Sequence, residues 1–450
     1  MIRYAARWVV PVCAPPIANG VVGVDGERIA YVGTRGGAPP GDEIDLGEVV
    51  MMPGLVNAHC HLELTAMRGF LEDIDFRRWI LRLTNARRAI LDREALLDSA
   101  RYGIEEGLLS GVTAYADTCS SGVVVEAMRE ARVRGIMYQE VFGPDPAQCA
   151  EAIRGLRDAV AGLRYLETPL VRIGISPHAP YTVSDDLFRA AADLARTQHL
   201  PMAVHIAESE VERQLVVEAS GSFAEGLRRR GIAVAPRARS SIGLLDTLGV
   251  LAVRPLLIHC VRVDATDIEL MARSRSAVAH CPVSNAKLGH GLAPLDEMLS
   301  AGLTVGLGSD SMASNNRMDL LEEARIALLA QRARTRSSET PSAEDVLVLA
   351  TIGGANAIGI GDVAGTLEVG KQADLAAFAL DSVAPTQDPV TAAVFSITAA
   401  RARFVSVAGQ VLVRDGSLVT PRPGLADRMR DLGDRLAEWL ASGGEMRGVV

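Results

Sequence analysis

Eight short apolar runs, separated by amphipathic stretches, constrain the fold of this chain more than any other feature. They occupy residues 54–61, 112–117, 135–142, 171–176, 201–205, 255–260, 277–281 and 303–310. Strands of a parallel sheet that is buried on both faces have continuous apolar sequences of this kind. Eight β-α repeats over about 310 residues predict an α/β fold with a (β/α)₈ TIM barrel. A doubly wound parallel sheet is the alternative.

The two ends of the chain have a different pattern. Residues 1–53 are rich in Val and Gly with frequent turn signals, and similar short strand patterns return near the C-terminus, for example at 373–380. We therefore expect a small β-sandwich domain formed by both termini, from residues 1–53 and 366–425. The barrel would occupy residues 54–365, and a C-terminal helix and tail would occupy 426–450.

The composition argues against several classes of partner. The net charge of −9 disfavours a nucleic-acid or anionic-membrane surface, which needs clustered positive charge. No apolar run approaches the roughly 20 residues of a membrane-spanning helix, and the N-terminus lacks the pattern of a secretory signal. The six cysteines are widely spaced without a C-x-x-C pair, which indicates free thiols in a reducing compartment. We therefore expect a cytoplasmic protein that acts on a small molecule.

Histidines are concentrated at the C-terminal ends of the predicted strands. Six of the eight lie there, namely His59, His61, His178, His205, His259 and His280. In a barrel these strand ends share one face, which is where active sites are found. Side chains at positions i and i+2 of a strand point the same way, so His59 and His61 can both face the barrel axis while Cys60 faces the helices.

Four of the strand-end residues form a candidate ligand set for one divalent metal ion. The set is His59 and His61 from the first strand, His205 from the fifth and Asp310 from the eighth. Nitrogen and oxygen ligands of this kind suit Zn²⁺, with Fe²⁺ or Mn²⁺ as alternatives. Such an ion lowers the pKa of bound water from about 15.7 towards 7. Glu208 follows just past the end of the fifth strand, where a loop can turn it over the site.

Six segments of the sequence resemble motifs of the amidohydrolase superfamily. They are PGLVNAHCH at residues 53–61, HIAE at 205–208, IHCV at 258–261, HCPVSN at 280–285, GSD at 308–310 and GTLEVGKQAD at 365–374. More narrowly, the chain resembles the cytosine-deaminase-like and chlorohydrolase-like branch, which includes methylthioadenosine/S-adenosylhomocysteine deaminases. The resemblance covers nearly the whole chain and implies hydrolytic release of ammonia from a cyclic amidine.

The resemblance also implies roles for single residues. The four candidate ligands match those of the single-metal branch, and the absence of a lysine from strand four fits that branch, because two-metal relatives carry a carboxylated lysine there. Glu208 matches a general acid that protonates a ring nitrogen, and His259 matches the residue that orients the hydrolytic water. Asp310 would relay a proton to the leaving group. The implied substrate contacts are His178, His280 and Asn285.

Two segments after the first strand bear on the substrate. Residues 61–64 and 73–80 resemble the aminofutalosine deaminases of menaquinone biosynthesis, which act on 6-amino-6-deoxyfutalosine. The methylthioadenosine type has a Pro-x-Glu-like segment after the tryptophan that grips the ribose hydroxyls, whereas residues 83–88 read LTNARR. This departure favours the aminofutalosine substrate. We expect residues 73–80 to form a lid loop, and Glu63 and Trp79 to contact substrate, with a surface charge and a core residue as the alternatives.

Other hypotheses remain open at this level. Methylthioadenosine, S-adenosylhomocysteine or adenosine could be the substrate, and a triazine-type hydrolase would use the same ligands. A non-catalytic assembly protein of the same fold is a third class, which the complete ligand set disfavours. His290 is expected to be a solvated loop histidine and His199 a structural one. Because barrels of this size often pair through their outer helices, a homodimer is expected.

Overall fold

The N-terminal fifty residues form short strands, as their pattern predicts, although two of the strand pairs are parallel where antiparallel pairing is expected. The computed structural model describes residues 1–397 and 401–444. Its first strands are β1 (Ile2–Val9), β2 (Ile17–Asp25), β3 (Arg28–Thr34), β4 (Asp42–Asp45) and β5 (Val49–Pro53). Asp25 pairs with Arg28 across a two-residue turn in which Gly26 has a φ of 59°. Glycine adopts that conformation without steric cost, so the turn closes the hairpin.

Eight parallel strands follow and carry the strand-end histidines. They are β6 (Leu55–Cys60), β7 (Val112–Cys119), β8 (Arg134–Val141), β9 (Val171–Pro177), β10 (Ala203–Ile206), β11 (Leu256–His259), β12 (Ala277–His280) and β13 (Val305–Leu307). They form two four-stranded sheets, ordered β6-β7-β8-β9 and β10-β11-β12-β13. Single parallel bridges connect the sheets at both edges, Ile175 to Met202 and Cys60 to Asp310.

This arrangement confirms an α/β fold with parallel sheets and is consistent with a TIM barrel. Within residues 1–397 and 401–444, however, the strands do not form one continuous closed ladder. Small apolar side chains fill the space between the sheets on the N-terminal side of the strand ends. They include Val56, Ala58, Ala114, Ile136 and Ile258, all with almost no exposure. This packed layer is the floor on which the polar strand ends lie.

The C-terminal strands extend the N-terminal sheet. They are β14 (Leu375–Ala379), β15 (Ala402–Val407), β16 (Gln410–Arg414) and β17 (Ser417–Leu418). The order is β17-β16-β15-β14-β5-β1-β2-β3, with β4 also paired to β1. Strands from both termini therefore share one sheet of nine described strands, and the expected two-sheet sandwich is not confirmed. A buried ion pair, Arg134 Nε to Asp374 Oδ2 at 2.8 Å, connects this sheet to the start of β8.

Helices connect the parallel strands and cover their outer face. The α-helices are α1 (Phe76–Ile90), α2 (Arg93–Leu109), α3 (Val123–Ala131), α4 (Cys149–Leu163), α5 (Asp185–Gln198), α6 (Glu210–Arg213), α7 (Gly221–Arg229), α8 (Ser241–Thr247), α9 (Ala265–Ser274), α10 (Pro282–Lys287), α11 (Leu295–Ser300), α12 (Met312–Asn315), α13 (Leu320–Thr335), α14 (Ala343–Val348), α15 (Gly354–Ala357), α16 (Pro389–Phe395) and α17 (Leu425–Ala441). Among the described helices, none combines the length and the apolar character needed to cross a bilayer.

The segment expected to be a lid loop is largely helical. Residues 76–80 are the first turns of α1, and only the preceding residues form a loop. Asp75 starts the helix because its carboxylate accepts a hydrogen bond from the Arg78 N–H at 3.0 Å, which satisfies one of the unpaired donors of the first turn. The wall that this segment contributes to the site is therefore a helix face. Residues 445–450 of the predicted tail lie outside the described residues.

Candidate active site

Three imidazoles converge where β6 meets β10. The ring centroids of His59 lie 4.8 Å from those of His61 and 4.9 Å from those of His205, and the His61 and His205 rings are 5.3 Å apart. Burial lowers the pKa of His59 to about 4 and lowers the pKa of His61 and of His205 as well. All three rings are therefore neutral near pH 7 and each offers a lone pair.

The hydrogen bonding of these rings fits a shared cation. His59 is only 1% exposed; among the described residues its Nδ1 has no hydrogen-bond partner, and its Nε2 faces the Asp310 carboxylate at 3.3 Å. His205 donates its Nδ1–H to the carbonyl oxygen of His178 at 3.3 Å, which leaves a lone pair on its Nε2. That nitrogen lies 3.3 Å from the Nε2 of His61. Lone pairs of buried imidazoles that face one another at this distance suit a divalent metal ion.

Asp310 completes the set from the end of β13. Its Oδ1 lies 3.3 Å from the Nε2 of His59 and 3.6 Å from that of His61. Its Oδ2 accepts hydrogen bonds from the hydroxyls of Ser284 at 2.5 Å and Ser314 at 3.0 Å, which fix the carboxylate. Burial acts to raise the pKa of Asp310, but the neighbouring histidines outweigh it and hold that pKa well below the usual range. The carboxylate is thus ionised and oriented as a ligand would be.

Glu208 and His259 face each other beside this cluster. The Oε1 of Glu208 lies 3.6 Å from the Nε2 of His259. The Nδ1–H of His259 donates to the Oδ1 of Asn285 at 3.0 Å, which directs the Nε2 towards the site. Burial acts to raise the pKa of Glu208, but His259 and His290 outweigh it and lower that pKa below its ordinary value. Glu208 is therefore ionised at neutral pH and can accept a proton.

The structure corrects the expectation for His290. It is 4% exposed, not solvated, and its Nε2 lies 3.4 Å from the Oε1 of Glu208. Its ring packs edge-on against Phe76 of α1, with centroids 4.4 Å apart. Glu208 is therefore held between two imidazoles. Nothing in the sequence around His290 indicates this, because the contact depends on how the loop after β12 folds back.

A second glutamate fixes the backbone under Glu208. Glu212 is fully buried, and its carboxylate accepts hydrogen bonds from the N–H groups of Ala207 at 2.8 Å and Glu208 at 3.2 Å. Burial raises the pKa of Glu212 to about 7. This residue was not among the expected site residues. Its position three residues after the N-cap Ser209 of α6, the S-x-x-E spacing of a helix start, is the signal that could have indicated it.

A cavity of about 640 Å³ opens above the cluster. Its described lining includes the candidate residues His61, Glu63, Trp79, His178, His205, Glu208, His259 and Asp310, together with Phe76, Arg87, Arg88, Ser120, Glu140, Phe142 and Arg230. His280 and Asn285 are not among the described lining residues. Both are buried behind the wall, and Asn285 acts there on His259.

Glu63 and Trp79 lie in the wall formed by α1 and the segment after β6. Glu63 accepts a hydrogen bond from Arg87 Nη2 at 2.8 Å and another from the hydroxyl of Ser121, so its carboxylate is engaged by the protein. Trp79 stacks on Phe76 with ring centroids 6.1 Å apart. Glu63 is 2% exposed and is therefore not a surface charge, whereas Trp79 belongs to the hydrophobic core, as its alternative interpretation expected, and also lines the cavity.

Comparisons with known proteins agree with this geometry. The sequence profile of the amidohydrolase family matches residues 50–412. A 5-methylthioadenosine/S-adenosylhomocysteine deaminase of Halobacterium salinarum is 33% identical over 439 residues, covering 94% of this chain and 96% of that protein. A zinc-bound adenosine deaminase of Xanthomonas campestris superposes with a TM-score of 0.84 at 26% identity, covering 97% and 98%. Aminofutalosine deaminase of Helicobacter pylori, at 20% identity with a TM-score of 0.80 and coverage of 92% and 100%, shares the fold.

Proposed function

This chain belongs to the amidohydrolase family, and from that premise we propose that it is a metal-dependent deaminase of an adenine-containing nucleoside. It is a hydrolase acting on carbon–nitrogen bonds. The observation that carries the proposal is the convergence of three neutral imidazoles and the Asp310 carboxylate at the base of the cavity, where the Nε2 of His59 lies 3.3 Å from an Asp310 oxygen. We assign His59, His61, His205 and Asp310 as the ligands of one divalent ion, with Zn²⁺ as the preferred metal.

Residues in and around the set of metal ligands each have a part in the proton transfers of a deamination. A divalent ion bound there would lower the pKa of its water towards 7. Because Glu208 is ionised, it can accept a proton from the attacking water and pass it to the ring nitrogen beside the carbon that is attacked. His259 holds the water through its Nε2, and Asn285 keeps that nitrogen in place. Asp310 passes the second proton to the departing amino group, which leaves as ammonia.

The identity of the nucleoside rests on two different observations. Curated relatives with 30–33% identity over most of the chain are named methylthioadenosine/S-adenosylhomocysteine deaminases, which supports those substrates. The helix face that lines the cavity after Trp79 carries Arg88 instead of a carboxylate, and the neighbouring Arg87 is paired with Glu63. This helix face therefore lacks the glutamate with which the methylthioadenosine type grips the ribose hydroxyls. This supports the aminofutalosine substrate and, with it, a role in menaquinone biosynthesis.

An ammonia-release assay on zinc-loaded protein tests the proposal. The substrates are 6-amino-6-deoxyfutalosine, methylthioadenosine, S-adenosylhomocysteine and adenosine. Glu208→Gln should remove nearly all activity because the amide cannot carry the proton, while Glu225→Gln, at an exposed position of α7, should leave the rate unchanged. The ratio of kcat/KM values between the first substrate and the two thio-nucleosides decides the assignment.

Each result has a definite consequence. Preference for the first compound supports the aminofutalosine substrate, and preference for the thio-nucleosides supports the type named in the relatives. Ammonia or chloride release from a triazine, with no reaction of the four nucleosides, would replace the proposal with triazine hydrolysis. Stoichiometric zinc without hydrolysis of any aminated ring would point to a non-catalytic protein.

A further inference from the structure

Glu323 is a buried glutamate that joins the short helices α10 and α12. It belongs to α13 and is only 1% exposed. Its Oε2 accepts a hydrogen bond from the backbone N–H of Val283 in α10 at 3.2 Å, and its Oε1 accepts one from the side-chain amide of Asn315 in α12. A carboxyl group is unfavourable in the protein interior unless it is hydrogen-bonded, and here both oxygens have a donor. The two helices are therefore connected through one side chain.

Both helices also bind Asp310. The hydroxyls of Ser284 in α10 and Ser314 in α12 donate to its Oδ2 at 2.5 and 3.0 Å. Its other oxygen, Oδ1, lies 3.3 Å from the Nε2 of His59. One oxygen of the carboxylate is thus held by the protein while the other faces the imidazoles. Each serine is the direct neighbour in sequence of the residue that Glu323 binds, so Glu323 fixes the positions of both donors at once.

The backbone of Asp310 also needs support. Its φ of 56° lies in the left-handed region, which is unfavourable for most residues with a side chain. The preceding residue, Ser309, donates its N–H to the Oδ1 of Asn57 at 3.0 Å and accepts at its carbonyl oxygen from the Nδ2 of Asn315 at 2.7 Å. That Nδ2 uses its second hydrogen for Glu323. The carboxyl group of Glu323 therefore also orients the amide that holds the backbone before Asp310.

A role in helix packing alone would not require this arrangement. The helix α13 already packs through apolar residues such as Leu320, Leu321 and Leu328, all with almost no exposure. The two hydrogen bonds of Glu323 instead lead to the neighbours of the donors that bind Asp310. They do not depend on the charge of the glutamate. Burial raises its pKa well above the usual value, and each oxygen of a neutral carboxyl group still has a lone pair for its donor.

We propose that Glu323 is a positioning residue, which orients the Asp310 carboxylate through the serine hydroxyls of α10 and α12. It acts through Asp310 on the affinity for zinc and on the rate. The inference rests on the proposed function, in which Asp310 is a metal ligand and passes a proton to the leaving group. Hydrogen bonds that orient the ligands of a metal change its affinity or the activity by roughly 10- to 100-fold. Because Glu323 is one contact further from the ion than the serines, we expect an effect of roughly 10-fold, at the lower end of that range.

The test measures the zinc dissociation constants of the folded wild type, Glu323→Gln and Leu328→Ala by competition with a chelator. In Glu323→Gln the amide nitrogen cannot accept, so one of the two hydrogen bonds is lost. We expect the dissociation constant to rise by roughly 10-fold, and kcat for the best nucleoside of the ammonia assay to fall by a similar factor with KM unchanged. Leu328→Ala is the matched control, because it loosens the core under α13 without removing a hydrogen bond of Glu323. It should lower the stability to urea and leave zinc affinity and kcat at the wild-type values.

A coupling measurement shows whether the effect passes through the serines. In a chain that already carries Ser284→Ala and Ser314→Ala, the further change Glu323→Gln should have a clearly smaller effect on zinc affinity, because the donors that it positions are gone. If Glu323→Gln does not fold, Asn315→Ala, which removes one hydrogen-bond partner of Glu323, decides by the same zinc titration.

Three results would overturn the inference. The first is an unchanged zinc affinity and kcat in Glu323→Gln. The second is an equal loss in Leu328→Ala, which would assign the effect to the stability of α13, and the third is a full effect of Glu323→Gln in the chain without the two serines. Zinc titration needs no substrate, so these results leave the proposed function standing as long as the wild type releases ammonia. A wild type that binds no zinc would overturn the inference and the metal-dependent deamination together.

Discussion

His59 lies next to both other imidazoles and the Asp310 carboxylate, and this makes it the most informative single residue for the metal site. We predict that His59→Ala abolishes zinc binding and lowers kcat by roughly 1,000-fold or more, because the ion supplies several kcal/mol of transition-state stabilisation. Metal analysis of the purified variant, paired with the ammonia assay, measures both effects. His199→Asn is the matched control, since His199 is an exposed residue at the end of α5 and Asn tolerates its φ of 54°. A variant that retains one zinc per chain would remove His59 from the ligand set.

The pattern of histidines at strand ends was sufficient to predict which residues lie around the cluster of candidate metal ligands. His59 and His61 come from one strand, and their approach to His205 follows from the shared face of the parallel strands. The pattern was not sufficient for Glu212 and His290. Their importance depends on which hydrogen-bond partners they have, and those are set by loop paths that periodicity does not encode. The functional role of every site residue remains a prediction that the assays above test.

At the scale of elements, the terminal helix α17 lies against the helix that lines the cavity. Arg435 of α17 donates to the carbonyl oxygen of Ile90, the last residue of α1, at 2.9 Å. Trp439 packs beside Phe70 with ring centroids 6.2 Å apart. The sequence indicated a C-terminal helix but no role for it, and it indicated a loop where α1 begins. The role of α17 could not be predicted locally, because its contact with α1 joins parts of the chain more than 300 residues apart. The start of α1 has a local signal, the N-cap Asp75, which was not used.

We predict that Leu436→Ala weakens substrate binding without altering the metal site. Leu436 is 1% exposed in the core beneath α17, so its truncation should cost about 2–5 kcal/mol of stability. As α17 loosens, α1 is held in place in a smaller fraction of molecules, and KM rises by the inverse of that fraction. Urea unfolding and Michaelis kinetics measure the two effects, and Glu438→Ala, at an exposed site of the same helix, is the control. An unchanged KM in a destabilised protein would show that α17 does not support the cavity wall.

At the scale of the whole molecule, the two ends of the chain are joined in one sheet through the pairing of β5 with β14. Local patterns located these strands but not their partners, because strand pairing between distant segments is set by tertiary packing. That is why the expectation of two packed sheets is not confirmed, although the participation of both termini is seen. The homodimer stays a prediction, since a single chain carries no information on it. The central α/β region was easier to predict from the sequence, because each repeat of a strand and a helix is formed by residues that are close together in the chain.

The acid stability of the whole protein should depend on His280. Burial lowers the pKa of His280 to about 4, below the value of about 6.5 for an unfolded histidine. Between these two values the unfolded chain binds a proton that the folded protein does not, so the free energy of unfolding falls as the pH drops from 6.5 to 4. The contribution of this one group is about 3 kcal/mol over that window. Replacement by Leu, which has a similar size and no titratable group, should remove that contribution.

Urea unfolding of the wild type and His280→Leu, measured from pH 4 to pH 8, tests this point. Other buried groups titrate in the same pH range. The quantity of interest is therefore the difference in the free energy of unfolding between the wild type and the variant. We expect the difference to be constant from pH 7 to pH 8, where the imidazole is neutral in both states, and to shift in favour of the variant by about 3 kcal/mol at pH 4. If the two curves of unfolding free energy against pH run parallel over the whole range, His280 gains its proton at the same pH in the folded protein as in the unfolded chain. Burial would then not lower the pKa of His280.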